Sequence, residues 1–355
     1  MAATNGTDAL TYSRFWEQFH AGFLILVSVT ALFGNGFVCT AVYKVRRLQK
    51  VSNYFLVSLA VSDILVVVLA IPFRIYFELN TVWLLGKHAC KFWIFMDILC
   101  NTASIVNLSL ISVDRYIALS KSLRYLAIAT VSRCRIGIAI VWGFSFTIAT
   151  LSLHTWSSDG GLIHHPFCRK NDKIYYTFST ILGIIIPLVV LIVLYYLVFK
   201  IALKHHVKIM KSNYSTPPSS EDCADQSQLR SRSNSSPRRF AIRELKATKT
   251  LIIVVGAFLV CWLPLCVLVV MQQYVPQYIE RWPPKTQEIL GQLLLYSLPF
   301  LNSCLNPYIY TCHNSEFRAV FKKTFSKMLP FLKSRSKKET KNTFCTENDF
   351  VSTGV

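Results

Sequence analysis

The chain has 355 residues, 53% of them hydrophobic and 16% charged, against roughly 25% charged in an ordinary soluble protein. That balance argues against a soluble enzyme. The 38 Lys plus Arg against 18 Asp plus Glu leave a formal +20, which serves either nucleic acid or an anionic membrane face, depending on whether the apolar residues gather into membrane-length runs.

They do so seven times. Residues 21–43, 53–73, 92–113, 136–153, 174–199, 250–273 and 289–312 carry no Lys, Arg or Glu, and each is near the ~20 residues needed to cross the bilayer core. The runs are continuous rather than alternating, so they predict helices and not a membrane β-barrel, and no nucleic-acid partner is expected. The predicted fold is all-α, a seven-transmembrane helix bundle. Residues 1–20 form an outer amino terminus, 21–312 the bundle with a cytosolic loop at 205–243, 313–329 an amphipathic eighth helix on the membrane surface, and 330–355 a disordered tail.

Lys44, Arg46, Arg47 and Lys50 follow the first run, Arg133 and Arg135 precede the fourth, and Lys204, Arg238, Arg239 and Arg243 lie between the fifth and sixth. With the basic tail, they place the carboxyl terminus in the cytosol and the amino terminus outside, as a multi-pass plasma-membrane protein facing anionic lipid. Asn5-Gly6-Thr7 is then a glycosylation acceptor on the outer side. No cleavable leader is apparent, so the first run is expected to be its own insertion signal.

Most of the eleven cysteines lie in apolar runs and count as small hydrophobes. Cys90, at the outer end of the third run, and Cys168, before the fifth, face the oxidising side, and a bridge between them is expected. The stretch 205–243 is rich in Ser, Pro and Arg and reads as a flexible linker. In 315–329, Phe317, Val320, Phe321, Phe325 and Met328 recur at helical spacing among basic residues, as in a helix lying on the inner leaflet.

Within the runs as bounded, Asp63 and Asp97 are the formally charged side chains. A carboxylate at membrane depth is costly and points to function. Asp97 lies ~10 Å below the outer end of its helix, within reach of a ligand, whereas Asp63 lies near the midplane. Asp114-Arg115-Tyr116 closes the third run at the cytosolic face. A guanidinium there needs a carboxylate, which Asp114 supplies and to which Glu244, at the start of the sixth helix, adds a second, breakable partner.

Asn35, Leu59-Ala60 with Asp63, Asp114-Arg115-Tyr116, Trp142, Pro187, Cys261-Trp262-Leu263-Pro264 and Asn306-Pro307 with Tyr310 place one signature in each helix, in order. The chain resembles the rhodopsin-like (class A) G-protein-coupled receptors from about residue 20 to about residue 330. The resemblance implies an outward ligand cavity and a cytosolic face that opens to a heterotrimeric G protein, with arrestin and receptor kinases as further partners. It makes Asp63, Ser104, Asn302, Ser303 and Asn306 the polar cluster that holds an allosteric sodium ion. Ile105, Pro187 and Phe258 become the packing relay, and Tyr195 and Tyr310 the tyrosines that swing toward Arg115. No other cofactor is implied.

Asp97-Ile98-Leu99-Cys100-Asn101-Thr102-Ala103-Ser104-Ile105 is similar to the third helix of the biogenic-amine receptors, of dopamine and adrenergic type. That likeness implies a protonated small amine paired with Asp97, lined by Cys100, Asn101, Ser179, Thr180, Trp262, Leu265, Cys266, Tyr296 and Phe300. The chain departs from the pattern in several places. Gly183 replaces a third hydroxyl residue, Leu265 and Cys266 replace two phenylalanines, Phe300 replaces a tyrosine, and Ser122 stands where proline is common. Phe300 also occupies the position of the retinal lysine in opsins, so no retinal is expected. Two alternatives are a same-fold receptor for a peptide or lipid, and an ion-coupled transporter or channel using both carboxylates. The transporter predicts inverted repeats, which the two halves do not show. An enzyme is not expected, since no phosphate loop, metal-ligand cluster or activated nucleophile appears.

Overall fold

The computed structural model describes residues 4–121, 124–156, 161–163, 165–214 and 253–328. The first crossing is α1 (Thr4–Lys44), and the second is α2 (Val51–Leu69) continued by α3 (Ile71–Asn80). The third is α4 (Gly86–Ser120). A short α5 (Tyr125–Ile128) leads to the fourth, α6 (Val131–Leu151). A hairpin pairs β1 (Gly161–Ile163) antiparallel with β2 (Arg169–Asn171), Gly161 opposite Asn171. The fifth crossing is α7 (Lys173–Thr180), a π turn at Ile181–Ile185 and α8 (Ile186–Tyr214); the sixth is α9 (Ile253–Tyr274).

Six helical segments among the described residues are long and apolar enough to cross a membrane. The seventh run is helical as well, but divided. After α10 (Pro276–Glu280) come α11 (Pro284–Gly291), a π turn at Gln292–Ser297 and α12 (Leu298–His313); α13 (Ser315–Met328) then runs on from Asn314.

Continuous apolar sequence makes helices here because backbone groups in lipid must be paired within the segment. The outward face of α8 shows the solvent it was built for: Val189, Val190, Ile192, Val193 and Tyr196 are exposed together, a patch that would drive aggregation in water. Local breaks follow side-chain chemistry. Pro72 sits in the first turn of α3, where its missing N–H interrupts the ladder carried over from α2. Thr130 caps α6 by accepting from the Arg133 N–H, and Asp172 caps α7 by accepting from the Tyr175 N–H.

Helix α4 is central, packed against α2, α6 and α8, while α1 lies against α2 and α12. Two apolar clusters divide the interior. The inner one holds Ile105, Leu108, Phe258, Trp262, Tyr310 and Phe317. The outer one gathers Trp83, Trp93, Phe300 and the cysteines Cys90 and Cys168, which form the expected disulfide. Trp83 stacks on Trp93 at 5.3 Å and its backbone N–H donates to Pro166 O, fastening the outer loops to one another.

Two boundaries and one buried side chain differ from the sequence expectation. Helix α1 starts at Thr4, not near residue 21, and spans 41 residues, ~60 Å at 1.5 Å per residue; Asn5 lies in its first turn. Hydropathy does not count the added turns because Leu10, Phe15, Trp16 and Phe19 are interrupted by Asp8, Arg14 and Glu17, though no proline stops the helix. Helix α8 continues to Tyr214, so residues 205–214 are helix rather than loop. Finally, Phe317 of α13 is fully buried in the inner cluster, with Val320 packed against it, so that end of the helix faces the bundle rather than lipid. Residues 215–243, Glu244 and the tail 330–355 lie outside the described residues.

Candidate functional site

Asp97 is partly exposed, one turn above Asn101 on α4. Asn101 Nδ2 donates to its Oδ1 at 2.9 Å, and among the described residues no cation forms an ion pair with it. Of the residues expected around it, Cys100 and Phe300 are buried in the outer cluster and Tyr296 packs against them. Trp262 instead belongs to the inner cluster, stacked on Phe258 at 5.7 Å, with Leu265 beside it. Cys266 and Thr180 are buried. Ser179 turns its hydroxyl back to Tyr176 O at 3.4 Å. Asp97, Cys100, Asn101, Tyr296 and Phe300 therefore lie in the outer part of the bundle, and Trp262 lies deeper.

A second charged group adjoins this region, and the sequence reading missed it. Arg74 and Glu78, four apart on α3, form an ion pair, and both are buried. Glu78 Oε1 is 2.9 Å from His20 Nδ1, and His20 Nε2 is 2.7 Å from Ser297 Oγ. An ionised carboxylate only accepts, so Nδ1 donates to Glu78, while Nε2 and the Ser297 hydroxyl share the second hydrogen bond. The Arg74 guanidinium lies over the Tyr296 ring at 3.6 Å. The second run was bounded at Phe73, before the next Lys, Arg or Glu, yet the helix continues to Asn80. The available signal was the Arg-to-Glu spacing of four on one helical face.

At mid-depth, Asp63 is fully buried. Ser104 Oγ donates to Oδ1 at 3.3 Å and Asn306 Nδ2 donates to Oδ2 at 3.0 Å. Asn35 Nδ2 holds the chain beside them, donating to Ser303 O at 2.9 Å and Ala31 O at 3.1 Å. Asn302 Oδ1 is buried without a hydrogen-bond partner. One carboxylate, neutral oxygens and a buried oxygen with unspent lone pairs form a donor set that fits a small hard monovalent cation. No group of three or more His, Cys, Asp or Glu suited to a metal occurs among the described residues.

Below it, Ile105 and Phe258 are buried together, and Pro187 O accepts from the Ser109 hydroxyl at 3.3 Å. Pro187 has no N–H, so a carbonyl one turn before it loses its intrahelical donor, and the π turn at Ile181–Ile185 lies at that point. At the cytosolic end, Asp114 collects donors. Arg115 Nε binds Oδ2 at 3.1 Å, Ser52 Oγ binds Oδ2 at 2.8 Å and Tyr125 OH binds Oδ1 at 2.8 Å. Arg115 also meets Ser52. Burial, then the Asp114 charge, pushes the Tyr125 hydroxyl up to about 12, so it donates at neutral pH. Tyr116 and Tyr195 are half-buried, and Tyr310 is buried with its hydroxyl unpartnered.

A groove of about 370 Å³ lies apart from all of these, between α2 and α6, lined by Tyr54, Ser58, Cys134, Arg135, Ile138 and Trp142 among others. Trp142 Nε1 donates to Ser58 Oγ at 3.1 Å at its edge.

The sequence profile described as 7 transmembrane receptor (rhodopsin family) matches residues 34–310. The alpha-1A adrenergic receptor of Oryctolagus cuniculus is 34% identical over 340 residues, covering 90% of this chain and 69% of that receptor. The human receptor of the same name is 34% identical over 319 residues, 84% of this chain and 65% of its own length. The human histamine H2 receptor is 33% identical over 311 residues, covering 85% of this chain and 77% of that receptor. The chain thus spans about two thirds of the adrenergic relatives.

Proposed function

We infer that this chain, which belongs to the rhodopsin family of seven-transmembrane receptors, is a multi-pass plasma-membrane receptor for a protonated biogenic amine that signals to heterotrimeric G proteins. It is a receptor, not an enzyme. The carrying observation is Asp97, a carboxylate in the outer part of the bundle whose partner is the neutral Asn101. Burial of such a charge is stabilised by a cation, and an ammonium ligand supplies one. The named ligands of the adrenergic and histamine relatives are of the same chemical class.

An amine that binds the active arrangement more tightly than the inactive one shifts a pre-existing equilibrium. The inner cluster of Ile105, Phe258 and Trp262 lies between Asp97 and the Asp114–Arg115 end, where an outward movement of α9 would admit the G protein. In this reading the amino terminus with Asn5 is outside, the tail is cytosolic, and Glu244 is the second partner of Arg115. Arrestin and receptor kinases engage the cytosolic face, and a sodium ion sits at Asp63, Ser104, Asn302, Ser303 and Asn306 in the inactive state. Phe300 offers no amine for a retinal Schiff base.

A monoamine panel should stimulate nucleotide exchange on G protein in membranes carrying the wild-type chain, and Asp97→Ala should abolish the response. Equal responses in both would sink the amine reading.

A further inference from the structure

We propose that Glu78 is a positioning residue: it holds the Arg74 guanidinium on the Tyr296 ring and away from Asp97, which keeps that carboxylate open for an external cation. This rests on the amine-receptor reading above.

Arg74 is buried; it ion-pairs with Glu78 and lies flat on Tyr296, yet its Nε–H has no partner. Tyr296, on which Arg74 lies, packs against the outer cluster that contains Cys100, one helical turn from Asp97 on α4. A guanidinium near a carboxylate, in a region poor in water, pairs with it unless another carboxylate competes. Glu78 competes with both oxygens committed, one to Arg74 and one to His20. His20 is anchored in turn by Ser297, so α1, α3 and the seventh crossing together fix where Glu78 points. The internal cation therefore covers Tyr296, while Asp97 is left with Asn101. With Glu78 neutral, Arg74 becomes a tethered competitor for the ligand.

The test uses the full chain in membranes, with noradrenaline and histamine as probes of nucleotide exchange. Glu78→Gln is expected to weaken potency on the order of tenfold, as expected for a close charge pair rearranged in a partly dry site. Arg74→Gln added to it should restore potency, and Arg74→Gln alone should leave potency at or above wild type. A merely structural clasp predicts the opposite: the double variant as poor as Glu78→Gln, and Arg74→Gln impaired by itself. Either of those results overturns the proposal.

A ligand-free arm separates this from failure of the amine reading. In the Glu78→Gln background, Asp97→Asn should lower the thermal midpoint of the solubilised chain by more than it does in wild type, because it then breaks a new Arg74–Asp97 pair. Equal shifts overturn the proposal whatever the ligand. A wild-type chain silent to both amines, combined with unequal shifts, retires the amine reading while the placement of Arg74 stands.

Discussion

Tyr125 donates a 2.8 Å hydrogen bond to Asp114, tying the short helix α5 to the inner end of α4. The same carboxylate holds Arg115, so the loop and the arginine draw on one acceptor. A single such bond contributes ~1 kcal/mol, more where the acceptor is charged. Tyr125→Phe should therefore loosen the inactive arrangement and raise ligand-free nucleotide exchange severalfold. The Tyr125 proton is held up to about 12. This stabilising contribution is present below the free tyrosine value of ~10 and fades as pH rises from there toward the folded value, so basal exchange should stay flat across neutral pH.

Close packing of α1 on α12 depends on Gly34. A Cβ at that position would meet Pro307 Cγ at 2.5 Å, and a proline ring in a helix has little room to yield. Gly34→Ala should cost about 1–3 kcal/mol as overpacking, seen as a lower thermal midpoint of the solubilised chain. Gly22→Ala on the same helix, where nothing lies within 4 Å, should be neutral.

The Cys90–Cys168 bond joins the outer end of α4 to the loop that carries β2. Replacing both cysteines with serine should lower stability by about 2–5 kcal/mol and weaken amine potency. Dithiothreitol should reproduce the loss in wild type and leave the double variant unmoved.

Replacing sodium chloride with choline chloride should lower the thermal midpoint of the ligand-free chain and raise its basal exchange. In Asp63→Ala both responses to sodium should vanish. A midpoint independent of sodium in wild type would remove the ion from the mechanism.

The seven apolar runs and the disulfide were legible because each depends on one strong physical constraint, bilayer thickness or an oxidising surface, and Ser104 and Asn306 as partners of Asp63 were legible through the family resemblance. The outer ion network was not. Arg74 marks the end of an apolar run when read singly, and it becomes tolerable at depth by pairing with Glu78, whose other oxygen is hydrogen-bonded to His20, 54 residues away from Arg74 in the sequence. Phe317 was read as lipid-facing because an amphipathic pattern gives the stripe but not its partner; α13 turns Phe317 and Val320 of that stripe onto the inner cluster. The outer extension of α1 and the inner extension of α8 are helix interrupted by charged residues, which a hydropathy reading does not count.

The π turns at Ile181–Ile185 and Gln292–Ser297 each take up one residue more than an α-helical turn, an angular offset of about 100°. The outer segment carrying Ser179 and Thr180 is thus phased independently of the inner segment carrying Pro187, whereas on the seventh crossing Phe300 shares α12 with Pro307. One residue inserted or deleted in the turn of the fifth crossing would rotate Ser179 and Thr180 while sparing the cytosolic half. Recognition can in this way diverge by changes of register as well as of side chain, with the signalling end of the same helix unchanged.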